Sequence, residues 1–234
     1  MEYSLSIVIP CFNPRQHWLE TVLASYREIQ KIEPATELII VNDGSTQNFP
    51  HITATQLNAI ASCTCISYPK NEGKGFALRQ GVAASNGTFV IYTDVDFPYT
   101  QESLIQILQT LKAGADVAVG IRSKAYYNAI PKSRAFISKI LRFFIRTMLA
   151  IPTDDTQCGL KGFNQKGKAA FMQTTIKRYL FDMEFVKLAA LQQLQIKLCE
   201  VHLKPGVEMA AMPVKILLQE FSNFIKIYFK KITV

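Results

Sequence analysis

The chain has 234 residues, 49% of them hydrophobic: enough for one large domain or two small ones with a sizeable core, and too apolar for a disordered chain. Its net charge of +8 favours anionic partners, with nucleotides, nucleic acid and anionic lipid headgroups all qualifying, while no uninterrupted apolar run reaches the roughly 18 residues of a membrane span. Cys11, Cys63, Cys65, Cys158 and Cys199 form no Cys-x-x-Cys pair and have no histidine at zinc spacing, and with no secretory leader the expectation is a reduced, cytoplasmic protein.

The first half alternates strand and helix patterns. Leu5–Ile9 reads as a strand ended by Pro10, Trp18–Ile32 as an amphipathic helix, and Glu37–Val41 as a strand ended by the turn Asn42-Asp43-Gly44-Ser45. A helix is predicted near Ile52 to Ser62, then a short strand Cys65–Tyr68, a helix Lys74–Ser85, a strand Thr88–Thr93, a helix Gln101–Ala113 and a strand Val117–Gly120. Repeated β-α units of this length imply an α/β fold, a mostly parallel sheet with helices on both faces.

The second half has a different texture. Ser133–Leu149 is apolar nearly all round, with Arg134, Lys139, Arg142 and Arg146 interspersed. Thr153–Asn164 reads as an irregular strand and turn, Phe181–Gln193 as a helix and Ile196–His202 as a strand. Pro213–Lys231 reads as a last helix, aromatic on one side through Phe221, Phe224, Tyr228 and Phe229. Residues 1–212 are expected to form one domain and 213–234 a C-terminal amphipathic helix. Basic, aromatic helices of this kind lie in membrane interfaces, and buried helices with snorkelling lysines look the same.

Asp94-Val95-Asp96 follows an apolar strand. Carboxylates spaced i, i+2 in extended chain project to one side, where they can share a hard divalent cation and through it a pyrophosphate. The plainer alternative is a solvated loop. Ligands of parallel sheets bind at the carboxyl ends of strands, and 10–13, 42–45 and 94–96 all lie at such ends. Gly73-Lys74-Gly75 opens a helix: glycines admit close approach, the helix start attracts anions and Lys74 adds a charge, or the segment is a simple cap. It is not a P-loop, because the Gly-x-x-x-x-Gly-Lys-[Ser/Thr] spacing is absent. No helix-turn-helix, zinc or RNA-binding motif points to nucleic acid. His17, His51 and His202 lack a catalytic setting, and Trp18 and the methionines read as core.

Ile7-Val8-Ile9-Pro10-Cys11-Phe12-Asn13, Val41-Asn42-Asp43-Gly44-Ser45, Asn71-Glu72-Gly73-Lys74-Gly75 and Asp94-Val95-Asp96 occur in the order and spacing of family 2 glycosyltransferases. That family has the GT-A fold, a single Rossmann-like nucleotide-sugar-binding domain. Asp155-Thr156-Gln157-Cys158-Gly159-Leu160-Lys161-Gly162-Phe163, Phe181-Asp182-Met183-Glu184 and Glu200-Val201 resemble the dolichyl- or polyprenyl-phosphate glucose and mannose synthases. The resemblance runs to about His202. It implies an inverting, metal-dependent enzyme that moves a hexose from a nucleotide diphosphate sugar, of GDP-mannose or UDP-glucose type, to a polyprenyl phosphate. Alternatives are the same donor chemistry with a saccharide acceptor, and a non-catalytic nucleotide-sugar-binding protein.

By the same resemblance, Pro10, Phe12, Asn13 and Asp43 grip the nucleobase and ribose, Asp43 being otherwise a turn residue beside Gly44. Lys74 lies near the donor, and Asp94 and Asp96 hold Mg²⁺ or Mn²⁺ against its diphosphate. Arg122 and Arg134 meet the acceptor phosphate, for which the forked guanidinium is suited; the alternative for Arg134 is a solvated helix face. Asp155 is the base by position for a hydroxyl acceptor. A lipid phosphate, largely dianionic at neutral pH, needs no base, and Asp155 then orients other groups or supports the metal shell, with Asp154 the less favoured of the two. Asp182 and Glu184 either orient basic side chains or the Gln157 loop, or simply sit as charges at a helix start. The chain departs from the pattern at Pro14, where many relatives are acidic, and at Pro98, where some mannose synthases have Gln. A bilayer-borne acceptor implies peripheral contact with the cytoplasmic membrane face.

Overall fold

The structure, a computed structural model, describes residues 3–49, 51–60, 62–122, 151, 153, 155–205, 223–225 and 227–229. Its strands are β1 (Leu5–Cys11), β2 (Thr36–Asp43), β3 (Cys63–Tyr68), β4 (Phe89–Tyr92), β5 (Val117–Arg122), β6 (Lys161–Phe163) and β7 (Ile196–Val201). They form a seven-stranded sheet in the order β3-β2-β1-β4-β6-β5-β7. All neighbours pair in parallel except β6, which runs antiparallel to both β4 and β5. The helices are α1 (Trp18–Ile32), α2 (His51–Asn58), α3 (Lys74–Ala84), α4 (Gln101–Lys112), α5 (Gln165–Met172) and α6 (Phe181–Leu191). The α/β, mostly parallel architecture with helices on both faces is therefore the observed one.

Burial explains the strand sequences. β1 and β2 are buried along their whole length, and their centres, Ile7–Ile9 and Leu38–Val41, read as continuous apolar runs. The edge strands β3 and β7 mix buried with exposed positions, as strands open to water must. Alternate side chains of the sheet face opposite layers. Ile7, Ile9, Leu38, Ile40 and Ile91 pack with α1 and α4, while Val8, Ile39, Val41, Val90 and Tyr92 pack with α3, α5 and α6. Trp18, Val22, Tyr26 and Ile29 form the buried stripe of α1. Trp18 is core as expected, its indole N–H donating to the Asn48 carbonyl at 2.8 Å. Met183 is likewise buried, whereas Met172 is exposed at the end of α5.

Boundaries differ in instructive ways. β1 continues through Pro10 to Cys11, and β3 starts at Cys63 rather than Cys65. α2 stops at Asn58, whose side-chain oxygen accepts from the Cys65 amide at 2.7 Å. The Thr153–Asn164 region contains β6, and α5 comes after it without having been anticipated. Asn164 starts that helix, its Oδ1 accepting from the amides of Lys166 at 2.9 Å and Gly167 at 3.1 Å. The expected helix Ser133–Leu149, with Arg134, Arg142 and Arg146, lies outside the described residues. Of Pro213–Lys231, residues 223–225 and 227–229 are described and are helical, with Ile227 buried and Phe229 70% exposed.

Glu33, just past α1, ties this layer together by accepting from Lys112 Nζ at the end of α4 and from Ser4 Oγ. The hydrogen bond from Lys112, then that from Ser4, holds its carboxyl below the usual range. A lowered folded-state pKa means stability present above the ordinary carboxylate pKa and lost as pH falls through the folded one. Glu33→Gln is expected to remove roughly 1 kcal/mol at neutral pH and none at pH 2, measured by urea unfolding at both pH values.

Candidate active site

The chain leaves β1 for β2 on one side and later enters β4 on the other, so the carboxyl ends of β1 and β4 flank a topological switch point, where open sheets place their ligand crevice. Phe12 and Asn13 follow β1, Asp43 ends β2, and Asp94 to Asp96 follow β4. Because β6 reverses direction, β5 points the same way as β4 and brings Arg122 to this edge, while the segment leading into β6 delivers Asp155 there.

Pro10 is buried within β1, whereas Phe12 is 49% exposed and offers an open aromatic face. Asn13, at φ 43°, accepts through Oδ1 from the amides of Thr46 at 2.8 Å and Gln47 at 3.1 Å, and its own amide donates to Ser45 Oγ at 2.9 Å. It thus fixes the loop after β2. Pro14 contributes its carbonyl to Asn48 Nδ2 at 2.9 Å. Asp43 is buried and accepts from the amides of Glu72 at 2.8 Å and Gly73 at 2.9 Å and from Asn71 Nδ2 at 2.8 Å. The carboxylate therefore clamps the loop that carries Lys74.

The glycines beside Lys74 serve the protein's own backbone. The amides of Gly75 at 2.8 Å and Phe76 at 3.3 Å both donate to the Lys177 carbonyl. Gly73 has φ 103°, and a Cβ there would meet Lys177 O at 2.5 Å; one on Gly75 would meet Ile176 O at 2.6 Å and Phe181 Cβ at 2.7 Å. The close approach that glycine permits is thus to the α5–α6 connection, and these two helix-start donors are already engaged. Glu184 braces the same connection, accepting from the amides of Thr175 at 2.9 Å and Ile176 at 2.8 Å.

Lys74 Nζ reaches Asp94 Oδ1 at 2.5 Å. Burial alone would lower the ammonium's pKa, yet the charges of Asp94, Asp182 and Asp96 outweigh it and leave it raised. Asp96 is exposed, and its pKa is raised by desolvation and by the neighbouring Asp94 charge, with Arg15 and Lys74 opposing. Two carboxylates two residues apart on one tight turn, closed by the Phe97 amide on the Asp94 carbonyl at 3.0 Å, fit a hard divalent cation. Among the described residues no group of three or more His, Cys, Asp or Glu is arranged to hold a metal. Pro98 presents its carbonyl to the Lys204 amide at 2.8 Å.

Arg122 and Asp155 meet face to face. The Arg122 amide donates to Asp155 Oδ2 at 2.7 Å, Nε bridges both carboxylate oxygens at 3.1 and 3.2 Å, and Nη2 completes the fork on Oδ1. Both side chains are nearly buried, at 12% and 6% exposure. Arg134 and Asp154 lie outside the described residues. Four contributors had no role of their own in the sequence reading: Lys161 and Gly159, inside the 155–163 segment, and Tyr92 and Tyr99. Lys161 is fully buried and donates to Asp182 Oδ1 at 2.7 Å, which also accepts from Tyr92 OH at 2.5 Å. Gly159 lies against Asp94 and donates its amide to Tyr99 OH at 2.9 Å. The signal available for Lys161 was its place in an otherwise apolar stretch between Leu160 and Phe163.

Comparison with known proteins bears on this arrangement. The dolichyl-phosphate beta-glucosyltransferase of Dictyostelium discoideum is 25% identical over 213 residues, 84% of this chain and 64% of that protein. Its human counterpart is 27% identical over 214 residues, 84% of this chain and 65% of that protein. The chain thus spans somewhat under two thirds of the length of these relatives. Glucosyl-3-phosphoglycerate synthase from Mycobacterium tuberculosis in complex with UDP superposes with a TM-score of 0.67 at 18% identity, covering 99% of this chain and 82% of that one. The same enzyme with Mn²⁺, UDP and glucosyl-3-phosphoglycerate gives 0.64 at 17% identity, again covering 99% and 82%. These likenesses identify the fold as GT-A. Residues 6–168, most of the chain and all of the strand-end clusters just described, match the glycosyl transferase family 2 domain, and the chain belongs to that family.

Proposed function

We propose that the protein is an inverting glycosyltransferase that moves a hexose from a nucleotide diphosphate sugar to a polyprenyl phosphate. The observation that carries the reading is the convergence of Lys74 on the Asp94–Asp96 turn at the sheet edge that also holds Arg122. The likeness to dolichyl-phosphate beta-glucosyltransferases supports a polyprenyl phosphate acceptor and glucose as the sugar. UDP in the similar structures supports UDP-glucose over GDP-mannose as the donor, and Mn²⁺ in them supports a divalent cation.

Asp94 and Asp96 would hold Mg²⁺ or Mn²⁺, which supplies Lewis-acid stabilisation of the departing nucleoside diphosphate. Lys74 is within reach to transfer its charge from Asp94 to the diphosphate. Phe12 offers a flat wall for the base, and Asn13 and Asp43 hold the loops around it in place. An acceptor phosphate oxygen attacks the anomeric carbon as the bond to the diphosphate oxygen breaks, inverting that centre. No proton has to be removed from a dianionic acceptor. Asp155, locked to Arg122, serves as the group that orients a phosphate-facing guanidinium rather than as a base, and this favours a phosphate over a saccharide acceptor. The exposed Ile225, Tyr228 and Phe229 beside the buried Ile227 support peripheral contact with a membrane, where such an acceptor resides.

The test is a panel of UDP-glucose, GDP-mannose, UDP-GlcNAc and UDP-galactose with Mn²⁺, read by thermal shift, followed by transfer to a short polyprenyl phosphate and to free sugars. Stabilisation by UDP-glucose and transfer to the polyprenyl phosphate alone is the expected result. Transfer to free sugars instead would replace the acceptor reading.

A further inference from the structure

We infer that Lys161 is a positioning residue for the Asp94 carboxylate. The inference rests on Asp94 acting at the diphosphate site, as proposed above. Lys161 lies on β6 directly opposite Tyr92, the last residue of β4 before Thr93 and Asp94. Its ammonium is fully buried and donates two hydrogen bonds, to Asp182 Oδ1 at 2.7 Å and to the Cys158 carbonyl at 2.5 Å. Asp182 is held in turn by Tyr92 OH.

The contact with the Cys158 carbonyl reaches Asp94 through the next residue, Gly159. The Cys158–Gly159 peptide is fixed at both ends, by Lys161 Nζ on the carbonyl and by Tyr99 OH on the Gly159 amide at 2.9 Å. Gly159 stands so close to Asp94 that an added Cβ would lie 2.2 Å from Oδ2. One oxygen of Asp94 is backed by this peptide and the other is turned to Lys74 at 2.5 Å. The route from Asp182 through Lys161 and the 158–159 peptide to Asp94 is thus a continuous run of contacts. A buried ammonium carries a heavy desolvation cost, and an apolar residue would fill the same volume without it. Supporting groups behind a metal-binding or phosphate-binding carboxylate are where such a cost has a functional return.

The experiment uses the full chain and three variants. Lys161→Met/Asp182→Asn removes the buried charges together and leaves neither unpaired; Asp182→Asn alone leaves Lys161 on the Cys158 carbonyl without its counter-charge and isolates the direct field of Asp182 on Lys74. The fold of each variant is checked by a melting curve before labelling, with wild type as the comparator if Asp182→Asn does not fold. Gly159→Ala displaces Asp94 from the other side. Without metal, trinitrobenzenesulfonate labelling of Lys74 is measured by mass spectrometry against the exposed Lys31. The double variant and Gly159→Ala are each expected to label Lys74 on the order of tenfold faster than Asp182→Asn, because Asp94 no longer holds the ammonium. Mn²⁺ affinity, read by electron paramagnetic resonance, should fall about 10- to 100-fold in the same two variants. A folded double variant that labels Lys74 no faster than Asp182→Asn overturns the inference. Failure of the wild type to bind Mn²⁺ removes the metal reading of the site, while the labelling result still decides the role of Lys161.

Discussion

Asp96→Asn is expected to reduce hexose transfer by about a thousandfold or more while leaving the thermal midpoint of the metal-free protein within about 1 °C of wild type. The two halves of this expectation have separate causes. Asp96 is exposed on a turn and contributes little to the fold, and its charge is disfavoured by desolvation and then by Asp94. Its proposed work lies in sharing a cation whose stabilisation of a departing diphosphate amounts to several kcal/mol, which is a factor of that order. The check is kcat/KM with a saturating divalent cation beside a melting curve without it. Transfer within tenfold of wild type would show that this carboxylate is dispensable. Asp94→Asn differs in a useful way: it also releases Lys74 from its 2.5 Å contact, so the metal-free protein should change as well.

The Arg122–Asp155 pair carries the second large effect. Asp155→Ala removes the carboxylate that faces a nearly buried guanidinium, and breaking such a pair costs roughly 3–5 kcal/mol. For a chain of this size the melting temperature should fall by about 6–20 °C. Asp155→Asn preserves the shape and some hydrogen bonding. If Asp155 orients Arg122, this variant should keep transfer to a polyprenyl phosphate within about tenfold and leave the pH–rate profile unchanged. A general base would give a loss of about 10²–10⁴ and a profile without its acid limb. Measuring kcat against pH for Asp155→Asn distinguishes the two.

How much of this was legible in the chain depends on the length scale of the signal. β1, β2 and β4 stand out because strands buried on both faces are runs of Val, Ile and Leu, and α1 and α4 because their apolar stripes repeat at the helical period. The clusters at 42–45, 73–75 and 94–96 could be assigned to one edge from strand order alone. β6 was not legible as an antiparallel strand, since three residues carry no usable period. α5 was missed although Asn164 is a proper cap, because two lysines and the interior Gly167 obscure its apolar face. For Gly73 and Gly75 the sequence indicated close approach but not to what; the partner, Lys177 with Ile176 and Phe181, lies a hundred residues away.

By itself, then, the amino-acid sequence determined the family, the α/β architecture and the presence of a carboxylate pair with a lysine at the carboxyl edge of the sheet. Those come from local period and from motif order, both of which are properties of short stretches of chain. Tertiary structure decided the partnerships: Lys74 with Asp94, Arg122 with Asp155, and Lys161 with Asp182 and the peptide behind Asp94. The three ion pairs each join residues at least twenty positions apart, and each partnership turns on desolvation and distance, which exist only once β6 is inserted between β4 and β5 and the helices have closed over the sheet.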